Sequence, residues 1–272
     1  MSEKVLMKGN EAMAEAAIKA GCLHYFGYPI TPQTEVAAYM SKRLPKIDGG
    51  VFLQAESEIA AINMVIGVAS TGKRVMTSSS SPGISLKSEG ISYLAACDLP
   101  ALIVNVQRGG PGLGGIQPSQ SDYFQATKGG GHGDYHLIVL APSSVQEMVD
   151  LTKKGFDLAD KYRMPVMLLA DGTMGQMMEP VYLDESGVNK YDKPWALTGT
   201  DCKREPNIVN SLFLKPDELE VFNIERFKRY KVVEENEVMY DEYRMEDAEI
   251  CIVAFGIAAR VSQNAIDKAR EN

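Results

Sequence analysis

The chain has 272 residues, of which 45% are hydrophobic and 24% charged, and its formal net charge is −8 at pH 7. This composition is typical of a soluble globular protein and excludes a disordered chain, while the acidic balance disfavours a nucleic-acid partner because phosphate binding needs a basic surface. No apolar run approaches the roughly 18 residues of a membrane helix, and the first residues lack the apolar region of a signal peptide. A cytoplasmic protein with no membrane partner is therefore expected.

Strand and helix patterns alternate between residues 8 and 170. Short apolar runs predict strands, and capped apolar-periodic segments predict helices. The predicted strands are 23–28, 51–54, 74–79, 101–107, 137–140 and 165–170, and the predicted helices are 10–19, 57–71, 84–96 and 144–161, with a further helix that Thr31 caps and Pro32 opens. This alternation predicts an α/β fold, namely a doubly wound, mostly parallel sheet with helices on both faces.

The alternation stops after residue 172 and resumes near the end of the chain. Prolines and many acidic residues between 172 and 245 are typical of a connector, either packed on another surface or solvated. A strand at 249–255 and a helix at 258–272 then follow, and these two elements cannot form a core by themselves. The predicted organisation is a domain at 1–180, an extended connector at 181–246 and, at 247–272, the start of a second α/β domain that is expected to be truncated.

Four segments lie where ligands bind in parallel sheets, beyond the carboxyl ends of the predicted strands. These segments are 28–32, 54–58, 78–83 and 107–111. Because the carboxyl ends of parallel strands meet at one edge of a sheet, we expect the polar residues of these segments to lie close together.

Three polar residues in these segments each have a functional and a structural interpretation. Glu58 opens an apolar helix, where it is either a functional carboxyl group or a first-turn residue that complements the helix dipole. Arg108 follows a buried strand, where its guanidinium either binds a carboxylate through two hydrogen bonds or satisfies loop carbonyls. Thr31 is either only an N-cap or also a hydroxyl donor to a substrate carboxylate.

The glycine-rich loop, the histidines and the cysteines do not by themselves indicate a ligand or metal site. The glycine-rich loop at 109–115 has neither a phosphate-binding loop pattern nor a dinucleotide fingerprint, and tight turns explain its glycines equally well. His132 and His136 have a spacing that suits a metal on a helix, but the glycines around them argue against a helix. The four cysteines form no C-x-x-C pair, so the sequence indicates no metal site in this chain.

Several short motifs, spread over roughly residues 8–180, together carry a resemblance. They are Tyr-Pro-Ile-Thr-Pro at 28–32, Ser-Glu-Ile-Ala-Ala at 57–61, Ser-Pro-Gly at 81–83, Gln-Arg-Gly-Gly-Pro at 107–111 and Gly-His-Gly-Asp at 131–134. In this order and spacing they resemble the α-type subunits of 2-oxoacid:ferredoxin oxidoreductases. Gly-Pro-Gly-Leu-Gly at 110–114 is most similar to the branched-chain subgroup, which acts on 3-methyl-2-oxobutanoate (2-oxoisovalerate), whereas the 2-oxoglutarate subgroup usually has Gly-Pro-Ser-Thr-Gly.

The resemblance implies a pyrimidine-binding domain for thiamine diphosphate and assigns roles to the site residues. Glu58 matches the glutamate whose carboxyl group bonds N1′ of the cofactor and so drives its activation. Arg108 and Thr31 match the positions that bind the carboxylate of a 2-oxo acid. The other residues that the resemblance places beside the cofactor are Pro29, Ser81 and Gly83.

The resemblance also implies partner chains, because part of the machinery is missing from this sequence. Thiamine enzymes hold the diphosphate through Mg²⁺ with a Gly-Asp-Gly motif and a following asparagine, and 170–172 reads Ala-Asp-Gly with no asparagine at the right distance. The implied assembly includes a β subunit with the diphosphate and Mg²⁺ site and a ferredoxin-like subunit with iron–sulfur clusters. It would decarboxylate a 2-oxo acid oxidatively, pass the acyl group to coenzyme A and reduce ferredoxin.

Two other classes of function remain as alternatives. A non-catalytic scaffold or regulatory subunit would keep the fold without the chemistry, and the intact set of Glu58, Thr31 and Arg108 argues against it. A nucleotide-binding dehydrogenase would have a similar doubly wound sheet, and the missing fingerprint glycines argue against that.

Overall fold

The computed structural model describes residues 4–183 and 187–271. Its strands are β1 (Val5–Lys8), β2 (His24–Gly27), β3 (Val51–Gln54), β4 (Val75–Ser79), β5 (Ala101–Gln107), β6 (Ile138–Leu140), β7 (Pro165–Asp171) and β8 (Met178–Val181). Its α-helices are α1 (Gly9–Lys19), α2 (Thr34–Arg43), α3 (Glu58–Ser70), α4 (Pro82–Ala96), α5 (Tyr123–Thr127), α6 (Val145–Tyr162), α7 (Gly172–Gln176), α8 (Pro216–Asn236) and α9 (Gly256–Arg270). No helix in these residues is both long and apolar enough to cross a membrane.

Six strands form a parallel sheet in the order β3-β2-β4-β5-β7-β6. Every residue of the interior strands β5 and β7 is buried, which fits their nearly continuous apolar sequences. The predicted α/β class with a mostly parallel sheet is therefore confirmed. The structure adds an antiparallel pair, β1 and β8, that the sequence did not indicate.

The core has two parts, one on each face of the sheet. The first cluster packs α1, α2 and α6 against one face, and the second packs α3 and α4 against the other. Along β5, Leu102 and Val104 enter the first cluster while Ala101 and Ile103 enter the second, because successive side chains of a strand point to opposite faces. The strand ends that carry the polar segments are thus held from both sides.

The region predicted as an extended connector contains a long helix, α8, which the sequence did not indicate. The α8 helix carries many charged residues, but one narrow side of it is apolar. Tyr230 lies on this side and is buried in the first cluster. The ring of His136 lies edge-on to Phe227 and Tyr230, with centroids 5.7 and 5.0 Å away. His136 therefore has a packing role against α8.

The strand predicted at 249–255 is not formed, whereas the helix predicted after it is present as α9. Ile250 and Val253 are 86% and 94% exposed, and no strand among the described residues pairs with them. A strand needs a neighbour to receive its backbone hydrogen bonds, so this apolar segment stays irregular. α9 itself is attached to the domain, since Gln120 Nε2 donates to Phe255 O at 2.8 Å and Arg260 pairs with Glu179 at 2.6 Å.

A buried ion-pair network attaches residue 193 to the parallel-sheet domain. Arg74 donates from Nε to Asp160 at 2.8 Å and from Nη2 to Asp157 at 2.6 Å, and Lys193 also pairs with Asp160. Removing one partner of a buried pair leaves a charge uncompensated, at a cost of roughly 3–5 kcal/mol. We expect Arg74→Met to lower the melting temperature of the assembled protein clearly, as measured by calorimetry.

The matched control for Arg74→Met is Lys228→Met, which breaks an exposed pair with Glu225 on α8. Exposed pairs contribute little to stability, so this variant should have the same melting temperature as the unmodified protein. If both variants had the melting temperature of the unmodified protein, the buried network would not stabilise the fold.

Candidate active site

The four polar segments meet at the carboxyl edge of the sheet, as expected from the sequence. The chain of contacts runs from the turn after β2 to the start of α3. Arg108 Nη1 donates to Thr31 O at 3.0 Å, and the Arg108 amide donates to Ser81 Oγ at 3.0 Å. Gly83, two residues beyond Ser81, packs directly against Glu58.

Glu58 and Gly83 form a close contact between the first turns of α3 and α4. Ser57 caps α3 by accepting from the Ala60 amide at 3.1 Å, which places Glu58 at the first helical position with only 6% of its surface exposed. A Cβ at position 83 would lie 2.1 Å from Ser79 Oγ and 2.9 Å from Glu58 Oε1. The Ser79 hydroxyl is buried and has no hydrogen-bond partner among the described residues. Position 83 therefore requires glycine, because the Glu58 carboxyl group and the unpaired Ser79 hydroxyl both lie next to it.

Ser81 holds the start of α4 in place through a strained backbone conformation with φ of 28°. Its amide donates to Asn105 Oδ1 at 3.0 Å, and its hydroxyl donates to Asp122 Oδ2 at 2.6 Å. Asn105 Nδ2 donates to the same Asp122 oxygen at 2.9 Å. A non-glycine residue with positive φ costs on the order of 1–3 kcal/mol, and this closed network offsets that cost.

Arg108 is a buried cation whose hydrogen-bonding capacity is only partly used. Besides Thr31 O, its guanidinium donates from Nη2 to Leu113 O at 2.9 Å, while Nε is buried without a partner. No carboxylate in residues 4–183 and 187–271 forms an ion pair with it. A buried, unneutralised guanidinium favours an anionic ligand.

Thr31 and Pro29 are exposed on the turn that precedes α2. The prediction that Thr31 caps this helix is wrong, because the turn continues to Gln33, whose amide donates to Ile30 O at 3.2 Å. α2 therefore begins at Thr34 with Gln33 at the cap position, and the Thr31–Pro32 peptide is cis. The Thr31 carbonyl, rather than its hydroxyl, makes the observed contact with the guanidinium.

The glycine-rich loop is shaped by its glycines. Gly112 and Gly114 have φ of 71° and 61°, and a Cβ on Gly114 would lie 1.8 Å from Gly109 O. Leu113 and Ile116 are 81% and 62% exposed on this loop. The glycines thus allow a tight turn. Arg108 bonds the backbone of this turn, and the apolar side chains of Leu113 and Ile116 are exposed.

Asp171, in the segment nearest to a Gly-Asp-Gly motif, has a structural role in this chain. Its Oδ1 accepts from the amides of Thr173 at 2.8 Å and Met174 at 3.1 Å, and so caps α7. Within the described part of the chain, no group of three His, Cys, Asp or Glu side chains is arranged to hold a metal ion.

Sequence reasoning missed the residues that position the site. Asn105 carried a visible signal, since it is an amide in an otherwise apolar strand. Asp122 carried none, because its partners lie 17 and 41 residues away in the chain. Lys87 is buried beside the site, and nothing in its local sequence distinguishes it from a surface residue. Ser79 is also buried there, and it lies within the polar segment 78–83 that the sequence indicated, although it was not singled out as a site residue.

Comparisons with known proteins identify the family of this chain. Residues 15–248 match the family described as "Pyruvate flavodoxin/ferredoxin oxidoreductase, thiamine diP-bdg". The ketoisovalerate oxidoreductase subunit VorB of Methanothermobacter marburgensis is 56% identical over 266 residues, which cover 97% of this chain and 75% of that protein. The 2-oxoglutarate synthase subunit KorA of Methanothermobacter thermautotrophicus is 50% identical over 188 residues, which cover 68% of this chain and 49% of that protein.

A solved structure extends the likeness to the whole described fold. The 2-oxoglutarate:ferredoxin oxidoreductase from Magnetococcus marinus, with 2-oxoglutarate, coenzyme A and succinyl-CoA bound, is similar with a TM-score of 0.86 and 31% identity. The match covers 99% of this chain, which spans about half, 52%, of that relative.

The chain belongs to the pyruvate flavodoxin/ferredoxin oxidoreductase family, in its thiamine diphosphate-binding part. Within this family it is a VorB-like subunit of a multi-subunit 2-oxoacid:ferredoxin oxidoreductase. The family resemblance of the sequence motifs is therefore confirmed.

Proposed function

We propose that this chain supplies the pyrimidine-binding half of an active site that converts a branched-chain 2-oxo acid, such as 3-methyl-2-oxobutanoate, into acyl-CoA and CO₂ while reducing ferredoxin. The observation that carries the proposal is the contact between Glu58 and Gly83, which Ser81 links to the buried Arg108 through a hydrogen bond of 3.0 Å. The relatives named as ketoisovalerate oxidoreductase subunits support the branched-chain assignment.

The residues present fit the pyrimidine end of thiamine diphosphate. This end needs a carboxyl partner for N1′, and Glu58 is a buried carboxyl beside the unused Ser79 hydroxyl. When bound, the cofactor supplies the carbon nucleophile that attacks the ketone. Glu58 would hold and exchange a proton at N1′. Gly83 allows Glu58 and Ser79 to approach the start of α4 closely. Ser81 would orient the loop beside the cofactor, and Pro29 would pack near it.

The substrate carboxylate would bind between Arg108 and Thr31. The guanidinium of Arg108 already contacts the Thr31 backbone at 3.0 Å, and its Nε has no partner among the described residues. A guanidinium that fixes a 2-oxo acid by its carboxylate also orients the adjacent ketone for attack. The exposed Leu113 and Ile116, on the loop that Arg108 contacts, offer an apolar surface to a branched substrate side chain.

The proposal requires partner chains for the rest of the reaction. Asp171 caps α7, so the Mg²⁺ and diphosphate site is assigned to a β subunit. Iron–sulfur clusters are assigned to a ferredoxin-like subunit, and coenzyme A accepts the acyl group. The reaction is placed in the cytoplasm, where coenzyme A and ferredoxin are available.

The proposed function is tested on the full-length chain co-expressed with its partner subunits. Reduction of a viologen dye would be measured with thiamine diphosphate, Mg²⁺, coenzyme A and a panel of 2-oxo acids. We expect activity that is highest with 3-methyl-2-oxobutanoate. A cofactor-loaded complex with no activity on any 2-oxo acid would instead support a scaffold subunit, and a preference for 2-oxoglutarate would overturn the substrate assignment.

Arg108 provides a separate test of substrate binding. Arg108→Met removes the cation that would hold the substrate carboxylate, and losing one partner of a buried charged pair costs about 2 kcal/mol or more. We expect kcat/KM for the 2-oxo acid to fall on the order of 30-fold or more, with a smaller loss for Arg108→Lys. The KM for coenzyme A serves as the internal control, and a parallel rise in that KM would contradict a specific role in 2-oxo acid binding.

A further inference from the structure

Asn10, near the start of α1, is a fully buried polar residue that the proposed function has not yet used. Its Nδ2 donates to Pro32 O at 2.9 Å and to Glu35 Oε2 at 3.0 Å, whereas its Oδ1 is buried without a partner among the described residues. Because both neighbours of the nitrogen are hydrogen-bond acceptors, they fix the orientation of the amide. The Asn10 side chain therefore acts only as a donor, and both of its N–H groups are used.

This donor role explains why a polar side chain occupies such a buried position. A buried oxygen without a partner is unfavourable, and a leucine of similar shape would avoid that cost. Leucine would, however, leave the carbonyl of Pro32 without its donor. Pro32 is itself a buried residue, so water cannot easily replace the lost bond. The amide of Asn10 is thus kept for the bond that it donates to the turn.

The bond to Pro32 attaches α1 to the turn that carries Thr31. Arg108, which directly follows β5, holds the preceding carbonyl by donating from Nη1 to Thr31 O at 3.0 Å. Gln33 holds the following residue to β4, because its Oε1 accepts from Ser78 Oγ at 2.5 Å. Three consecutive residues of the turn are therefore fixed by side chains from three different parts of the chain, and Asn10 supplies one of these attachments.

The short helix α7 packs against the other side of the Asn10 amide. A Cβ on Gly175 would lie 2.6 Å from Asn10 Oδ1 and 3.0 Å from both Cγ and Nδ2. Gly175 lies within α7 and does not have a positive φ, so its backbone conformation is also open to alanine. Gly175→Ala would therefore displace the amide without changing Asn10 or any residue of the turn.

We propose that Asn10 is a positioning residue for binding of the 2-oxo acid carboxylate, because its amide fixes the turn at which Thr31 and the Arg108 guanidinium meet. The Arg108 guanidinium is bonded to the carbonyl of Thr31, so a shift of the Thr31–Pro32 segment also shifts the cation. The inference rests on the proposed function, since it adds to the same site a residue that never touches the substrate.

The test places Asn10→Leu in the full-length chain of the assembled complex. We expect the KM for 3-methyl-2-oxobutanoate to rise on the order of tenfold, because the free energy of a lost buried hydrogen bond corresponds to a factor of about this size. The change in kcat should be smaller, since Glu58 is left in place, and the KM for coenzyme A should stay the same. Hydrogen–deuterium exchange, measured without substrate, should become faster in residues 30–34.

Asn207→Leu is the matched control, because Asn207 Nδ2 also donates to two carbonyls, Pro194 O at 2.6 Å and Ala196 O at 2.9 Å. These residues lie near the end of α3 opposite to Glu58, where the Leu197 amide donates to Ser70 O at 2.9 Å. We expect this variant to keep the KM of the unmodified complex for the 2-oxo acid.

An unchanged KM for the 2-oxo acid in Asn10→Leu would overturn the inference. An equal rise in the KM for coenzyme A, or the same rise in Asn207→Leu, would overturn it too, because either result indicates a general loss of structure. If Asn10→Leu does not assemble, Gly175→Ala decides by the same measurements, and failure of both to assemble counts against a role specific to the turn. Failure of the proposed function is distinct, because the unmodified complex would then act on no 2-oxo acid.

Discussion

Glu58→Gln is expected to lower dye reduction by the assembled complex roughly 10²–10⁴-fold, the range contributed by a positioned proton-transfer group. Glutamine has nearly the same shape as glutamate, so it fills the same buried place between the first turns of α3 and α4. It cannot take up and release a proton at N1′, and the cofactor should therefore stay largely inactive. The measurement is the initial rate with saturating 3-methyl-2-oxobutanoate, after cofactor occupancy has been determined for each preparation.

The matched control for this variant is Glu56→Gln, two residues earlier in the chain. Glu56 is exposed and lies before the helix cap, so the same chemical change there should leave the rate unchanged. A fully loaded Glu58→Gln complex that kept most of its activity would show that another group activates the cofactor.

Gly83→Ala is the second substitution with a large expected effect. The added methyl group would overlap Ser79 Oγ and press on Glu58 Oε1, both of which are fixed by burial. Displacing a reacting group by about 1 Å can cost on the order of 10²-fold in rate, and we expect a loss of this size in kcat/KM together with weaker thiamine diphosphate binding.

Gly67→Ala offers a close comparison, because Gly67 also lies in a helix and a Cβ there would meet nothing within 4 Å. In a helix interior this substitution usually stabilises by up to about 1 kcal/mol. We expect normal activity and a slightly higher melting temperature. If both glycine variants were fully active, the close approach at Gly83 would have no functional importance.

The sequence predicted the parallel sheet well because its signals are local. The apolar run of β5 and the capped start of α3 each identify their element without information from elsewhere in the chain. The pair formed by β1 and β8 joins Val5 to Val181, and four residues on each side carry too little pattern to predict such a distant contact. The segment at 249–255 shows the opposite case, since it has the pattern of a strand but no described neighbour.

The same distinction applies to the site. Glu58 and Arg108 could be singled out because strand ends in a parallel sheet are where ligands bind. Asp122 could not, because its hydrogen bonds to Ser81 and Asn105 join residues that are far apart in the chain. Thr31 was placed in the correct turn, but its role as a helix cap was wrong because the turn extends two residues further than the proline suggested.

In the glycine-rich loop, hydrogen bonds hold the backbone, whereas the exposed side chains of Leu113 and Ile116 are the groups that a substrate would contact. Its backbone is held by Arg108 at Leu113 O and by bonds of the Gly109 amide to Gln117 O and of the Gly115 amide to Gly109 O. None of these bonds involves the side chains of Leu113 or Ile116. Substitution of these side chains would therefore leave the backbone of the loop unchanged, and under the proposed function it would give relatives with one chemistry a simple route to different substrates.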